Sequence, residues 1–222
     1  MFDSLLQIIA PHYCYQCRKV GRPLCANCKY DIICEPFAGC IVCGKPTLNG
    51  SLCTTCRKWY SKAWCVGERS DTLQNLIDSY KFQSVRAIGS VLASLLDDVV
   101  PELPSSTIVV PIPTVRSHVR QRGYDHAALI ARGFARRRGL RVEHLLRRTT
   151  TTTQRGASRN QRLAQARQAF GRVSCLSANN PYLLVDDVMT TGATLHYAAK
   201  TLYKAGARDI WVAVVARQPI DM

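Results

Sequence analysis

Short apolar runs alternate with helical hydrophobic patterns from residue 64 to the end of the chain. The runs have the length and the β-branched or aromatic character of strands, and they lie at 64–70, 107–110, 140–143, 182–185 and 210–216. The helical patterns lie at 71–80, 84–100, 125–138 and 192–205, with a more polar helix-prone segment at 158–170. This alternation predicts an α/β fold in which helices flank a largely parallel sheet.

The residues before this alternation differ from the rest of the chain because they are rich in cysteine. Eight of the eleven cysteines form four C-x2-C pairs, at Cys14/Cys17, Cys25/Cys28, Cys40/Cys43 and Cys53/Cys56. The cysteine-rich character ends near Trp59, where the first predicted strand is about to begin. We therefore expect two domains, a small cysteine-rich module over 1–60 and an α/β domain over 61–222.

The spacing of these cysteines is typical of zinc ribbons. Two cysteines at positions i and i+3 can bind one metal ion from a tight turn, and two such turns complete a tetrahedral thiolate site. Residues 18–24 separate the first two pairs and residues 44–52 the last two, so we expect two ribbons in tandem and two structural Zn²⁺ sites. Gly44 suits the left-handed turn after a knuckle. Interleaved pairing, of the first pair with the third, remains open, whereas disulfides are not expected in a reducing compartment.

The net charge changes this picture by indicating a polyanionic partner. The formal net charge is +15, and the window from Pro113 to Arg172 holds 15 arginines, no lysine and two acids. Arginine contacts phosphate groups with two parallel hydrogen bonds, so this asymmetry favours phosphorylated small molecules, nucleic acid or an anionic membrane face. For residues 136–138, a solvated basic helix face explains the charge equally well.

No segment of the sequence resembles a membrane anchor or a secretion signal. A run of 18 apolar residues does not occur, and the apolar stretch within residues 1–10 contains Asp3 and lacks a basic start. We therefore expect a cytoplasmic protein.

Residues 182–194 form the most informative motif. An apolar strand ends in Asp186 and Asp187, and a loop of small residues then opens a helix. The two acids can accept hydrogen bonds from vicinal sugar hydroxyls at the carboxyl end of the strand. The loop can wrap a phosphate with backbone N–H groups at the positive end of the helix, and it consists of Thr190, Thr191, Gly192, Ala193 and Thr194. The motif therefore favours a phosphorylated ribose as the ligand.

This motif resembles the site at which type I phosphoribosyltransferases bind 5-phosphoribosyl 1-pyrophosphate (PRPP). Three further segments are similar to motifs of the ComF family, which joins an N-terminal zinc module to a phosphoribosyltransferase-like domain. They are Tyr80-Lys81-Phe82, then Val109–Pro113 with Arg122–His126, and a looser match over Thr153-Gln154, Arg159, Arg162 and Ala169-Phe170. The resemblance covers nearly the whole chain.

The resemblance implies a role in natural transformation, in which the protein handles incoming single-stranded DNA at the inner face of the membrane. It also implies a PRPP-like ligand bound with Mg²⁺. Lys81, Arg116, Arg120 and Arg122 are the expected partners of the pyrophosphate. The expected DNA contacts are Arg116, Arg120, Arg122, Arg155, Arg159 and Arg162. A DNA-translocating helicase of the uptake machinery is a further expected partner.

Two functions remain open from the sequence. The chain is either an uptake factor that binds PRPP and DNA, or an active phosphoribosyltransferase with a nucleobase-like acceptor. No segment specifies an acceptor, and the catalytic candidates are Asp186 and Asp187. His118 and His126 could act as general bases, but histidines in so basic a region are usually surface residues.

Overall fold

The computed structural model describes residues 12–48, 50–69, 71–83, 85–149, 170–171 and 175–219. Within these residues five strands form one parallel sheet in the order β1-β5-β4-β2-β3. The strands are β1 (Lys62–Glu68), β2 (Ile108–Pro111), β3 (Arg141–Val142), β4 (Tyr182–Met189) and β5 (Ile210–Arg217). The helices are α1 (Ala26–Ile33), α2 (Asp71–Phe82), α3 (Ala87–Val99), α4 (Arg116–Arg122), α5 (His126–Arg138) and α6 (Ala193–Lys204). The predicted α/β fold is confirmed.

Two elements near the predicted ligand site differ from the sequence prediction. Strand β4 does not end at Val185 but continues through both acids to Met189, because it keeps its register with β5 as far as Arg217. The segment after Pro113, in which the sequence predicted no helix, contains helix α4. The predicted helix over 158–170 and the DNA candidates Arg155, Arg159 and Arg162 lie outside the described residues, apart from Phe170.

Alternating side chains of the sheet enter two separate hydrophobic cores, as expected for buried strands. Val109, Leu183 and Val215 lie on one face, which α2, α3 and α5 cover. Val110 and Leu184 lie on the other face, where α6 packs. Because consecutive residues of β4 point to opposite faces, its two acids do so as well.

Each cysteine group packs into a different one of these cores. Cys14 and Cys28 are buried with α2 and α3, and Lys29 of α1 forms an ion pair with Asp98 of α3 at 2.6 Å. Cys40 is buried on the opposite face of the sheet, in the core that α6 covers. The cysteine-rich segment therefore contacts both faces of the sheet, and the domain boundary near residue 60 stays a prediction. Among the described residues, no helix has the length and apolar character needed to cross a bilayer.

Candidate functional site

The eight cysteines of the C-x2-C pairs form two tetrads. Cys14, Cys17, Cys25 and Cys28 compose one tetrad, and Cys40, Cys43, Cys53 and Cys56 compose the other, with ligand atoms within 4.8 Å of one another in each. The Sγ atoms of Cys17 and Cys25 are 3.7 Å apart, and those of Cys43 and Cys53 are 3.6 Å apart. A tetrahedron with Zn–S bonds of about 2.3 Å has edges of about 3.8 Å. Each tetrad can therefore hold one zinc ion, and the interleaved pairing is excluded.

The first knuckle of each tetrad is closed by the same turn. The N–H of Gly44 donates to the carbonyl of Cys40 at 2.8 Å, and that of Arg18 donates to the carbonyl of Cys14 at 2.9 Å. Both turning residues have positive φ, 77° for Gly44 and 62° for Arg18, which confirms the turn predicted at Gly44. In the first ribbon a non-glycine residue adopts this conformation.

In each tetrad one completely buried thiol lies in an environment that favours the thiolate a metal requires. Burial raises the pKa of the Cys14 thiol, but N–H donors, chiefly that of Cys25, outweigh it and lower the pKa to about 6. Burial also raises the pKa of the Cys40 thiol, but N–H donors, chiefly that of Cys53, outweigh it and lower the pKa to about 7. The pKa values of Cys28 and Cys56 are instead raised, by burial and by the neighbouring thiols of their own tetrads. Thiolate is the form that coordinates zinc, and a bound cation would offset the mutual repulsion of four thiolates in each tetrad.

The two acids of β4 have different partners because they face opposite sides of the sheet. Asp187 is buried, and its Oδ1 lies 2.7 Å from Nζ of Lys81 on α2. The Oδ1 atom of Asp186 accepts a hydrogen bond from the N–H of Asp187 at 2.9 Å. The structure thus brings Lys81, Asp186 and Asp187 together at the carboxyl end of β4.

Burial and, after it, the charge of Asp187 raise the pKa of Asp186 to about 8, against the smaller opposing effects of Lys81, the N–H of Asp187 and Arg148. Arg148, which the sequence did not single out, is half-buried. Its Nη1 donates to the carbonyl of Pro113 at 3.4 Å. Its Nε atom is buried without a hydrogen-bond partner in the described part of the chain. An anionic ligand at this edge would give that donor an acceptor.

The raised pKa of Asp186 predicts how stability depends on pH. The folded protein keeps this carboxyl protonated up to about pH 8, whereas an unfolded chain ionises it near pH 4. Between these values the unfolded state binds fewer protons, so stability falls as pH rises, until the folded carboxyl has ionised too. Asp186→Asn removes this loss. The free energy of unfolding of this variant, relative to that of the wild-type protein, should therefore grow by about 1–3 kcal/mol from pH 6 to pH 8.5. Urea unfolding of both proteins at the two pH values measures it, and an advantage independent of pH would contradict the raised pKa.

The loop after β4 depends on a glycine. Gly192 has φ 73°, and a Cβ atom there would lie 2.6 Å from Cε of Met189. Gly192 turns the chain from β4 into α6, which begins at Ala193. The backbone N–H of His196 donates a hydrogen bond to the carbonyl of Gly192 at 2.9 Å. The N-terminal N–H groups of α6 therefore point at the end of the loop, as a phosphate site requires.

The second cysteine ribbon forms part of the wall beside this loop. A cavity of about 370 Å³ lies between Thr191 and Gly192 of the loop and Cys56 and Lys58 of the ribbon. His196 also lines it, and Nε2 of His196 lies 3.1 Å from the indole nitrogen of Trp59. Since that nitrogen can only donate, we assign the proton of the neutral imidazole to Nδ1. Lys58 was not predicted because more than 130 positions separate it from the loop.

The arginines after β2 occupy different environments. Arg116 and Arg120 are exposed on α4, and α4 has no buried residue. Arg122 is half-buried, with Nη1 3.3 Å from Nδ1 of His126 and its guanidinium 5.3 Å from the ring centroid of Phe82. Asp125 caps α5 and also accepts a hydrogen bond from the hydroxyl of Thr114 at 2.9 Å. The cap therefore fixes the segment that carries these arginines.

His126 is buried, contrary to the expectation of a surface histidine. Its Nε2 lies 3.1 Å from the carbonyl of Tyr80, and its Nδ1 faces Arg122. Burial lowers its pKa, so the ring is neutral near pH 7, with Nε2–H donating to Tyr80 and Nδ1 accepting from Arg122. Both ring nitrogens are thus engaged, and His126 is a structural residue rather than a general base.

Comparison with known proteins gives similar sequences along nearly the whole chain. The family model for a phosphoribosyl transferase domain matches residues 119–221. Competence protein F of Haemophilus influenzae is 31% identical, over 92% of this chain and 96% of that protein. Competence protein ComFC of Bacillus subtilis is 25% identical, over 85% of this chain and 81% of that protein. The DNA utilization protein YhgH of Escherichia coli O6:H1 is 28% identical, over 95% of this chain and 99% of that protein.

Proposed function

This chain belongs to the competence protein F (ComF) family, and on that premise we propose that it is a DNA-uptake factor of natural transformation. It binds single-stranded DNA and, with Mg²⁺, PRPP or a related phosphoribosyl ligand. The observation that carries this proposal is the junction of β4 and α6, where two acids, a glycine turn and a helix N-terminus meet Lys81. The relatives named for competence and DNA utilization support the DNA half.

Different residues of the junction contact different parts of the ligand. The backbone N–H groups of residues 190–194 hold the 5-phosphate at the positive end of α6. Asp187, and Asp186 once it has lost its proton, accept hydrogen bonds from the ribose hydroxyls. Lys81 already contacts Asp187 at 2.7 Å and can turn its ammonium towards the pyrophosphate. Arg148 offers a buried Nε–H from the neighbouring segment.

Mg²⁺ fits this site mainly as an ion held by the ligand. The site supplies carboxylate oxygens, which this cation prefers, but Asp187 is engaged by Lys81 and the pKa of Asp186 is about 8. Few protein oxygens therefore remain for direct coordination near pH 7, and the ion would bind pyrophosphate oxygens and water, as is usual for Mg²⁺. When bound, it neutralises pyrophosphate charge.

Transfer of the phosphoribosyl group to a nucleobase-like acceptor is the second candidate function. The raised pKa of Asp186 favours it above about pH 8, because the carboxylate that forms there is basic enough to take a proton from an acceptor. Against it, both ring nitrogens of His126, one of the two histidines that could act as a base, are engaged by Tyr80 and Arg122. The proposal for the first function, the uptake factor, includes two further points. Its protein partner is a DNA-translocating helicase, and it acts in the cytoplasm at the membrane face.

Titration calorimetry tests the proposal. PRPP with Mg²⁺ is titrated into the protein alone and into the protein saturated with a short single-stranded DNA. We expect PRPP to bind in both cases and with different affinities, and the DNA affinity must then change by the same factor when PRPP is present. PRPP binding that is indifferent to DNA would favour the transferase. No PRPP binding at all would refute both functions for the junction.

A further inference from the structure

A groove between α3 and α5 lies beside the candidate site and has a cationic rim. It encloses about 910 Å³. Its floor is apolar and consists mainly of Leu129, Ala135, Leu140 and Val142, with Gly89 and Gly133 where the helices approach each other. Gly133 keeps the helices close, since a Cβ atom there would lie 2.7 Å from Cβ of Ala93. Arg86, Arg132 and Arg136 form the rim.

The positive charge of this rim is not neutralised by the fold. Arg132 and Arg136 are exposed, and none of the ion pairs among the described residues involves them. Among the described residues that line the groove, Asp125 is the one acid, and its carboxylate is engaged by Thr114 and the N–H of Ala128. By contrast, Arg138 at the end of α5 binds Asp97 and several carbonyls of α3 and the following loop. The groove therefore attracts an anion along its length.

An exposed aromatic ring lies close to one end of the groove. Phe82, the last residue of α2, is 60% exposed, so most of its ring is accessible to a ligand. The Arg122 guanidinium covers one part of the ring, and Arg122 directly precedes Gly123 and Tyr124, which line the groove. Arg86 in turn rests on the ring of Tyr124 at 5.0 Å and donates to the carbonyl of Gly123 at 3.0 Å.

We propose that this groove is the path of single-stranded DNA, with phosphates along Arg86, Arg132 and Arg136 and one base stacked on Phe82. The inference rests on the proposed DNA binding and names its surface. Cationic grooves that combine unpaired arginines with an exposed aromatic ring suit a single strand, whose bases are available for stacking. Because Phe82 follows Lys81, the path would end beside the carboxyl end of β4, where a nucleotide could reach the phosphoribosyl site.

The salt dependence of DNA binding tests the rim. Log K of single-stranded DNA falls with log salt by about 0.7 for each phosphate contact, so Arg132→Gln/Arg136→Gln should lower the slope by about 1.4. The affinity at low salt should fall as well. The control is Arg57→Gln/Lys204→Gln, which removes two exposed charges on the other side of the sheet and should leave the slope unchanged. Fluorescence anisotropy with a labelled oligonucleotide between 50 and 200 mM salt gives both values.

Phe82→Ala tests the stacked base. It should weaken single-stranded DNA binding about 5- to 100-fold and leave the salt slope as it was. Tyr203→Ala is the matched control, because Tyr203 is also exposed and lies 4.9 Å from the guanidinium of Arg208, far from the groove. For the rim variant Arg132→Gln/Arg136→Gln, an unchanged PRPP affinity shows that the fold is intact.

The outcomes separate the inference from the proposed function. If the wild-type protein does not bind single-stranded DNA, the proposed function fails and the groove with it. If it binds DNA and the groove variants match their controls, the DNA function stands and the groove is wrong. Equal affinity for duplex DNA, with Phe82→Ala unchanged, would overturn the stacked base, because a duplex has no base available for it.

Discussion

Loss of one zinc-binding thiolate is expected to unfold its own ribbon and to destabilise the face of the sheet on which that ribbon packs. Cys40 is completely buried in the core that α6 covers, so Cys40→Ser exchanges a metal ligand for an unpaired buried hydroxyl. Structural zinc sites supply on the order of 10 kcal/mol of folding free energy at pH 7, which is as large as the stability of a typical domain. We expect the zinc content to fall from two ions per chain to one, and the denaturation midpoint to fall steeply.

The two ribbons should differ in their effect on the ligand site. The second ribbon forms a wall of the cavity beside Thr191 and Gly192, whereas the first packs on α2 and α3. Cys40→Ser should therefore weaken PRPP binding by more than Cys14→Ser does. Cys34→Ser is the control, since Cys34 is exposed and outside both tetrads. Metal analysis and calorimetry on the same samples decide the matter: two zinc ions in Cys40→Ser would contradict the assigned ligands.

The sequence was sufficient for the elements whose packing is local or periodic. The strands were predictable because Val109, Leu184 and Val212 belong to short apolar runs that are buried on both sides. The two zinc sites were predictable because each C-x2-C turn supplies two ligands, but the pairing of the turns was left open by the spacing and is shown only by the two tetrads of the structure. Helix α4 was missed because its residues have no apolar periodicity, and none of them is buried.

The candidate site was only partly predictable, because a sequence does not show which distant positions meet in the folded protein. The acids and the glycine loop are contiguous, so their order alone indicated their chemistry. Lys81, by contrast, meets Asp187 across 106 positions, and the resemblance rather than the periodicity pointed to it. Lys58 and Arg148 lie beside the junction only because the ribbon and the segment after β3 pack there, and nothing distinguishes either residue from its basic neighbour in the sequence. His126 looked like a surface residue because its neighbours are basic, yet it packs between two tyrosine rings.

Asp187→Asn is expected to lower PRPP affinity about 100-fold or more, a loss of roughly 3 kcal/mol. Asparagine offers one acceptor oxygen in place of two and no negative charge, so it cannot hold a ribose hydroxyl and the Lys81 ammonium at once. The same change leaves Lys81, whose side chain is 18% exposed, without its partner, and an uncompensated charge of this kind costs about 3–5 kcal/mol of folding stability. Calorimetry measures the first effect and urea unfolding the second.

A second variant separates binding from stability. Lys81→Met in addition to Asp187→Asn removes the unpaired ammonium, so stability should return towards the wild-type value. Because Lys81 is itself a proposed pyrophosphate partner, the PRPP affinity of the double variant is compared with that of Lys81→Met alone and should be lower. Asp78→Asn is the matched control, because Asp78 is also an ion-pair residue of α2, with Arg69 at 2.5 Å, but it is more exposed, at 34%. Such exposed pairs contribute about 1 kcal/mol or less, and PRPP affinity should not change. If the double variant bound PRPP as tightly as Lys81→Met alone does, Asp187 would act by holding the fold and the ribose would lie elsewhere.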